Sequence, residues 1–245
     1  MFRLLNADLN RVLKSKGYWI SLAIMTALSL GMTYMYSTQG GKDPEIFIQG
    51  AQAAIGQVGS AWIIMTILFT MFNHDLKSRV HQAAVGNGIS RPIVVLTKYV
   101  EAAFLSALDV VILMAFVFGM SLVLGVSLSG ANVHTLIMTG LAAWIGIVVV
   151  TAVSFIPVFA IGNLTVAALM AFAIPLGLIS QAISLAGAAI HVDIAQYGIY
   201  ANLDKVSEML TNGPFNAWPC LLLAVWVVVG LGLTAFFYKK KELDF

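Results

Sequence analysis

The residues of this 245-residue chain that could ligate a metal, attack a carbonyl or move a proton are four histidines, one cysteine and eleven acids. His74, His81, His134 and His191 are dispersed, and none stands in a His-Glu-x-x-His pattern, so the sequence offers no metal-ligand spacing. Cys220 has no neighbouring base in sequence and, as the sole cysteine, can form no disulfide within the chain. Gly40-Gly41-Lys42 lacks the first glycine of a phosphate-binding loop and is followed by Asp43 where a hydroxyl residue is required. The chain is therefore read as holding no cofactor and hydrolysing no ATP by itself. Among the acids, only Asp109 falls deep inside an apolar run.

The elements that would position these groups emerge from composition. Hydrophobic residues make up 60% of the chain, charged residues 10%, and the mean hydropathy is +0.93. Soluble domains carry about 25% charged residues, so neither a water-soluble globule nor a disordered chain fits. Six stretches are long enough to cross a bilayer as helices: Gly17–Tyr36, Ala51–Phe72, Tyr99–Val126, Leu136–Ile161, Leu164–Leu185 and Ala217–Tyr238. None shows the alternation of a membrane barrel. Pro157 and Pro175 lie inside the fourth and fifth stretches, where neighbouring helices can absorb a kink. The first stretch exceeds a signal-peptide core and has no convincing small-x-small site after it, so it is read as a retained span.

Charge placement sets the expected topology. Eleven of the thirteen basic residues fall before the first span, between the second and third, or after the sixth, leaving Lys42 and Lys205 for the opposite side. Short Lys/Arg-rich loops stay cytoplasmic, so both termini are expected inside. Asp43, Glu45, Asp193, Asp204 and Glu208 lie in the segments assigned outside. The basic clusters are accounted for by orientation and give no support for nucleic-acid binding. The fold class is thus an all-α integral membrane protein, one transmembrane domain over 1–245 with six spans.

Two polar segments carry pattern of their own. In 1–16, Leu5, Leu9, Val12 and Leu13 share a helical face, which reads as an amphipathic interfacial helix. In 73–92, Asn73 can cap a helix along which Leu76, Val80, Ala83 and Ala84 share a face. Gly86-Asn87-Gly88 stops that helix and Ser90-Arg91-Pro92 begins the next. A short helix wedged between two spans is a lever, or else a basic loop that only fixes topology.

The run Ala84-Val85-Gly86-Asn87-Gly88-Ile89-Ser90-Arg91, followed by Lys98, resembles the permease subunits of ABC-2-type transporters. The ending Phe236-Phe237-Tyr238-Lys239-Lys240-Lys241-Glu242-Leu243 is similar to theirs, and Asp75 stands where they usually carry Glu. The resemblance implies a cytoplasmic ATPase partner in two copies, which would hold ATP and Mg, and a second permease protomer, with a homodimer favoured. It makes Asp75–Ala84 the coupling helix, with Asp75, Leu76, Lys77, Arg79, Val80, Ala83 and Ala84 as coupling residues, and 188–215 short outer helices capping an exit. It further implies a multi-pass protein of the bacterial plasma membrane that exports hydrophobic or amphipathic cargo, such as antimicrobial or toxin-like peptides.

Inside the spans, Gln52, Gly56, Gly59, Ile63, Thr66 and Thr70 recur at helical spacing, as do Ser21, Met25, Ser29, Met32 and Tyr36, and a shorter set of Gly177, Gln181 and Ser184. Such stripes serve helix packing in lipid, a pathway for amphipathic cargo, or a protomer interface. Asp109 lies eleven residues past Lys98, about 16 Å along a helix and close to mid-membrane. It is read either as a polar point of a pathway or latch, or as a neutral carboxyl bonded to a neighbouring helix through Ser106 or a threonine. Glu101 is placed to pair with Lys98 one turn away. A secondary transporter and an intramembrane enzyme are the rival classes, the first limited to Asp109 for coupling and the second lacking paired groups at one depth.

Overall fold

The computed structural model describes residues 2–40, 42–78, 84–189, 195–211 and 213–241. Among them every regular element is helical: α1 (Phe2–Leu13), α2 (Lys16–Gly40), α3 (Pro44–Ala53), α4 (Ser60–Ser78), α5 (Arg91–Leu124), α6 (Gly130–Ile161), α7 (Leu164–Ala173), α8 (Leu178–Ala189), α9 (Ile199–Thr211) and α10 (Ala217–Lys240). Five stretches are long and apolar enough to cross a membrane: Lys16–Gln39, Pro44–Asn73, Arg91–Leu124, Gly130–Ile161 and Ala217–Lys240. The pair Leu164–Ala173 and Leu178–Leu185, bent by 75°, makes a sixth only if counted as one broken span.

Helix boundaries obey local chemistry. Asp43, Ser129, Asn163 and Asn216 cap α3, α6, α7 and α10 by accepting from backbone N–H groups of the first turn. Gly125 and Gly162, at φ 66° and 74°, end α5 and α6 in the left-handed region. α5 begins at Arg91, after Ser90 and with Pro92 in its first turn, where the sequence expects a helix to start, and it continues without a break into the third apolar stretch. α4 runs unbroken past Asn73 to Ser78, so no new helix starts there. Phe72 and Asp75 are both buried on its inner face while Asn73 points outward, and nothing at Asn73 interrupts the ladder.

The core gathers around α6, against which α4, α5, α7, α9 and α10 all pack. α10 reaches its backbone: a Cβ at Gly230 would sit 2.9 Å from the Ala152 carbonyl group. Phe72, Phe155, Phe159 and Tyr238 pack edge-on or tilted with centroids 5.1–5.8 Å apart, joining α4, α6 and α10. Pro157 is accommodated within a continuous α6, whereas Pro175 lies in the break between α7 and α8, which closes at Gly177 with φ 71°.

The described part of the segment expected to cap an exit packs on α6 and α10. Trp226, well inside α10, donates its indole N–H to the Tyr197 carbonyl at 3.0 Å, and Leu203 of α9 packs on Gly146 at the middle of α6. α9 therefore dips along the flanks of α6 and α10. Apolar Val206 and Ile199 supply the buried face that makes this possible. Of the segment 188–215, residues 190–194 and 212 lie outside the described residues.

Gly230→Leu should lower the melting temperature of the purified protein by an amount equivalent to about 1–3 kcal/mol, because the new side chain meets Ala152 backbone. Gly232→Leu, whose Cβ meets nothing within 4 Å, should leave the melting curve unchanged in the same detergent. Equal effects of the two would show that α10 is not seated as described.

Candidate functional site

Lys98 has its ammonium buried at 1% exposure near the start of α5. A charge with so little water is stable only with partners. Three carboxylates supply them: Nζ lies 2.6 Å from Asp8 of α1, 2.9 Å from Asp75 of α4 and 3.2 Å from Glu101 one turn along α5. Asp75 and Glu101 are fully buried and Asp8 nearly so. The Arg11 guanidinium, half-buried, donates to Asp75 and lies 3.8 Å from Asp8. Burial alone would lower the pKa of Arg11, but the hydrogen bond to Asp75 and the fields of Asp75, Asp8 and Glu101 outweigh it and raise it, so the group stays charged. Among the described side chains the cluster holds three acids and two bases. It binds α1, α4 and α5 at one point.

About two turns earlier on α5, Arg91 binds the other terminus. Its guanidinium donates to the carbonyls of Tyr238, Lys239 and Lys241 at 2.6–2.8 Å and lies over the Tyr238 ring. These are orphan carbonyls at the end of α10, where a cation also opposes the helix dipole. The connection leading into Arg91 is set by Gly88, at φ 85°. Ile89 N–H donates to Ala84 at 3.1 Å and Gly88 N–H to Val85 at 2.9 Å, the paired bonds of a glycine-closed helix end. The two motifs that carry the sequence resemblance thus touch each other, and the first turns of α5 hold α1, the end of α4 and the end of α10.

The expected coupling residues divide accordingly. Asp75 is turned inward and engaged by Arg11 and Lys98, so its carboxylate braces the bundle and is not offered to an outside surface. Leu76 packs half-buried against the core, and Ala84 is buried. Lys77 belongs to α4, and Arg79, Val80 and Ala83 lie outside the described residues. Pairing of Lys98 with Glu101 is legible from their spacing. The parts played by Asp8 and Arg11 are not, because their partners lie 64 to 90 residues away.

The stripe on the second span is divided by a π-helical stretch, Ala54–Gly59, which rotates the later half of the stripe relative to the earlier half. Gln52 and Gly56 line a cavity of about 330 Å³ with Thr139, Gly146, Tyr200 and Asp204. Thr66 and Thr70 line another of about 450 Å³ with Tyr18, Ser21, Trp62 and Asn73. Ser21 and Thr66 hydroxyls are 2.6 Å apart, and Trp62 donates to Ser21. Gly59 is a packing residue: a Cβ there would lie 3.3 Å from Leu113 and 2.7 Å from the Ala54 carbonyl. Met25 and Ser29 are buried and Met32 half-buried, so the middle of this face of α2 is packed core, while Ser21 lines the cavity and Tyr36 is exposed. Gly177 is buried at the helix break, but Gln181 and Ser184 are exposed on α8, turned away from the face they were expected to share.

Asp109, at 1% exposure, accepts a hydrogen bond from the Tyr18 hydroxyl. Ser106, expected as a partner, instead donates to the Ala103 carbonyl at 3.0 Å. Tyr18 is the third residue of α2, so this bond ties the first turn of α2 to Asp109 at the middle of α5. Among the described residues no three histidines, cysteines or acids come together to hold a metal ion.

Removing one charge from the cluster should have unequal consequences according to sign. Among the described side chains Lys98→Met leaves three buried acids against one base, and it should destabilise by about 3–5 kcal/mol, measured as thermal unfolding in micelles. Glu101→Gln equalises acids and bases and should be near neutral. Equal losses for both variants would mean that charge balance does not govern the cluster.

Comparison with protein-family models and with curated proteins returns no match, so the functional reading rests on the residues and their geometry.

Proposed function

We propose that this chain is the membrane permease subunit of an ABC-2-type exporter in the bacterial plasma membrane. It works with a second permease protomer and two cytoplasmic ATPase subunits, which hold ATP and Mg. Both termini face the cytoplasm, and the cargo is hydrophobic or amphipathic and peptide-like. The observation that carries the reading is the concentration of long-range charge contacts at the end of the bundle where α1, the end of α4 and the end of α10 meet the start of α5. The basic connection between α4 and α5 springs from that same end.

A force that reaches either end of this connection passes into the charge cluster. α4 enters it carrying Asp75, and α5 leaves it carrying Arg91 and Lys98, so pushing the connection displaces the interfacial helix and the last helix with them. ATPase closure would in this way tilt α4 and α5 and alter the two cavities that flank the π-helical stretch. The alternative of a secondary transporter is favoured by one feature, the buried Asp109–Tyr18 pair, which could bind and release a proton.

Affinity purification of the tagged chain from native membranes should bring down an ATPase encoded beside it, and transport should stop when that ATPase is inactivated. Gradient-driven transport without any ATPase would transfer the assignment to the secondary transporter. Charge reversal at Lys77→Glu with Arg79→Glu should uncouple ATP hydrolysis from transport at least tenfold. In a Cys220→Ser background, Lys42→Cys and Lys205→Cys should react with an impermeant thiol reagent from outside and Arg79→Cys should not; the reverse pattern would invert the topology.

A further inference from the structure

The 330 Å³ cavity between α3, α6 and α9 has the composition of a ligand site. Its α9 wall is made by Tyr200, Asp204 and Ser207, spaced four and three residues apart and therefore on one helical face. Its opposite wall is Gln52 and Thr139, joined by a hydrogen bond from Nε2 at 3.4 Å that leaves the Gln52 carbonyl oxygen uncommitted to Thr139. The floor is apolar, with Leu203 packed on Gly146. Among the described residues Asp204 enters no ion pair, and Glu208 adds a second negative charge one turn further along α9, while Lys205 belongs to the next face.

An irregular stretch of backbone and a glycine within it adjoin the space. The π-helical stretch Ala54–Gly59 stands at its edge, and such stretches cost hydrogen-bond geometry that a regular helix would keep. Gly56, inside that stretch, opens directly onto the cavity: a Cβ there would meet nothing within 4 Å. A larger residue would fit the backbone and fill the space, so glycine keeps it empty.

We propose that this cavity binds the cationic group of an amphipathic ligand, an ammonium or guanidinium carried on an apolar body. Asp204 supplies the counter-charge, Tyr200 a ring face, and Gln52, Thr139 and Ser207 the acceptors, while the apolar floor takes the body. Naming the ligand as cargo rests on the exporter reading; the site itself does not.

The test uses the purified full chain in dodecyl maltoside, without an ATPase, and ethidium as the probe, followed by fluorescence polarisation. Ethidium should bind. Asp204→Asn should weaken it at least tenfold, Asp204→Glu should retain it, and Gly56→Phe should abolish it with an unchanged elution profile. Fluorescein, an anion of similar size, should not bind. Ethidium affinity in Asp204→Asn and Gly56→Phe equal to that of the unaltered chain, or comparable binding of fluorescein, would overturn the site. Displacement of ethidium by phosphatidylethanolamine would overturn the assignment to cargo by giving the site to a lipid headgroup. Because no ATPase is present, failure here leaves the co-purification result standing, and the converse holds equally.

Discussion

An ammonium with almost no access to water is the constraint on which the rest of this structure depends. Lys98 cannot stay charged in that position without carboxylates around it, and the three that surround it come from three helices. α1 is short, and a single apolar stripe with Leu9, Val12 and Leu13 against the core leaves it few other contacts. Asp8 and Arg11 fix it in rotation and in height. The end of α4 is fixed in the same way by Asp75. A buried network of this kind adds little net stability compared with an apolar core, but it admits few alternative arrangements, which suits a junction that has to move as one piece.

The π-helical stretch has the opposite character, since it loosens where the cluster binds. By rotating the polar stripe partway along the second span, it sends Gln52 and Gly56 to one cavity and Thr66 and Thr70 to another. One cavity lies beside the inserted helix α9. The other lies beside Tyr18, whose hydroxyl holds Asp109. A change in how the second span is wound at Ala54–Gly59 would alter both spaces together.

Much of the architecture is legible in the sequence, and the reasons for success and failure are physical. Apolar runs locate the long helices because lipid demands one composition throughout a span. The amphipathic start and the Gly86–Ser90 turn are legible because they depend on neighbours within one or two turns. The Lys98 cluster is only half legible, since spacing reveals Glu101 but not partners contributed by distant helices. The continuation of α4 through Asn73 escapes sequence reading because a residue that caps a helix when it begins one is tolerated when it faces outward within one. The stripe of the second span reads as one face because a π-helical turn leaves no mark in residue spacing. Pro175 signals a kink in the fifth stretch, but the 75° bend and the left-handed Gly177 that closes it are not legible from residue spacing, which places Gly177 in a stripe.

The three carbonyls gripped by Arg91 belong to residues synthesised about 150 positions later. When α5 first leaves the ribosome its guanidinium has no such partner, and it acquires one only after α10 has been made and has crossed to the same end. The final helix is therefore clasped in place by a residue that has been waiting since the first half of synthesis. Closure of this clasp joins the end of α10 to the start of α5 across about 150 residues of chain.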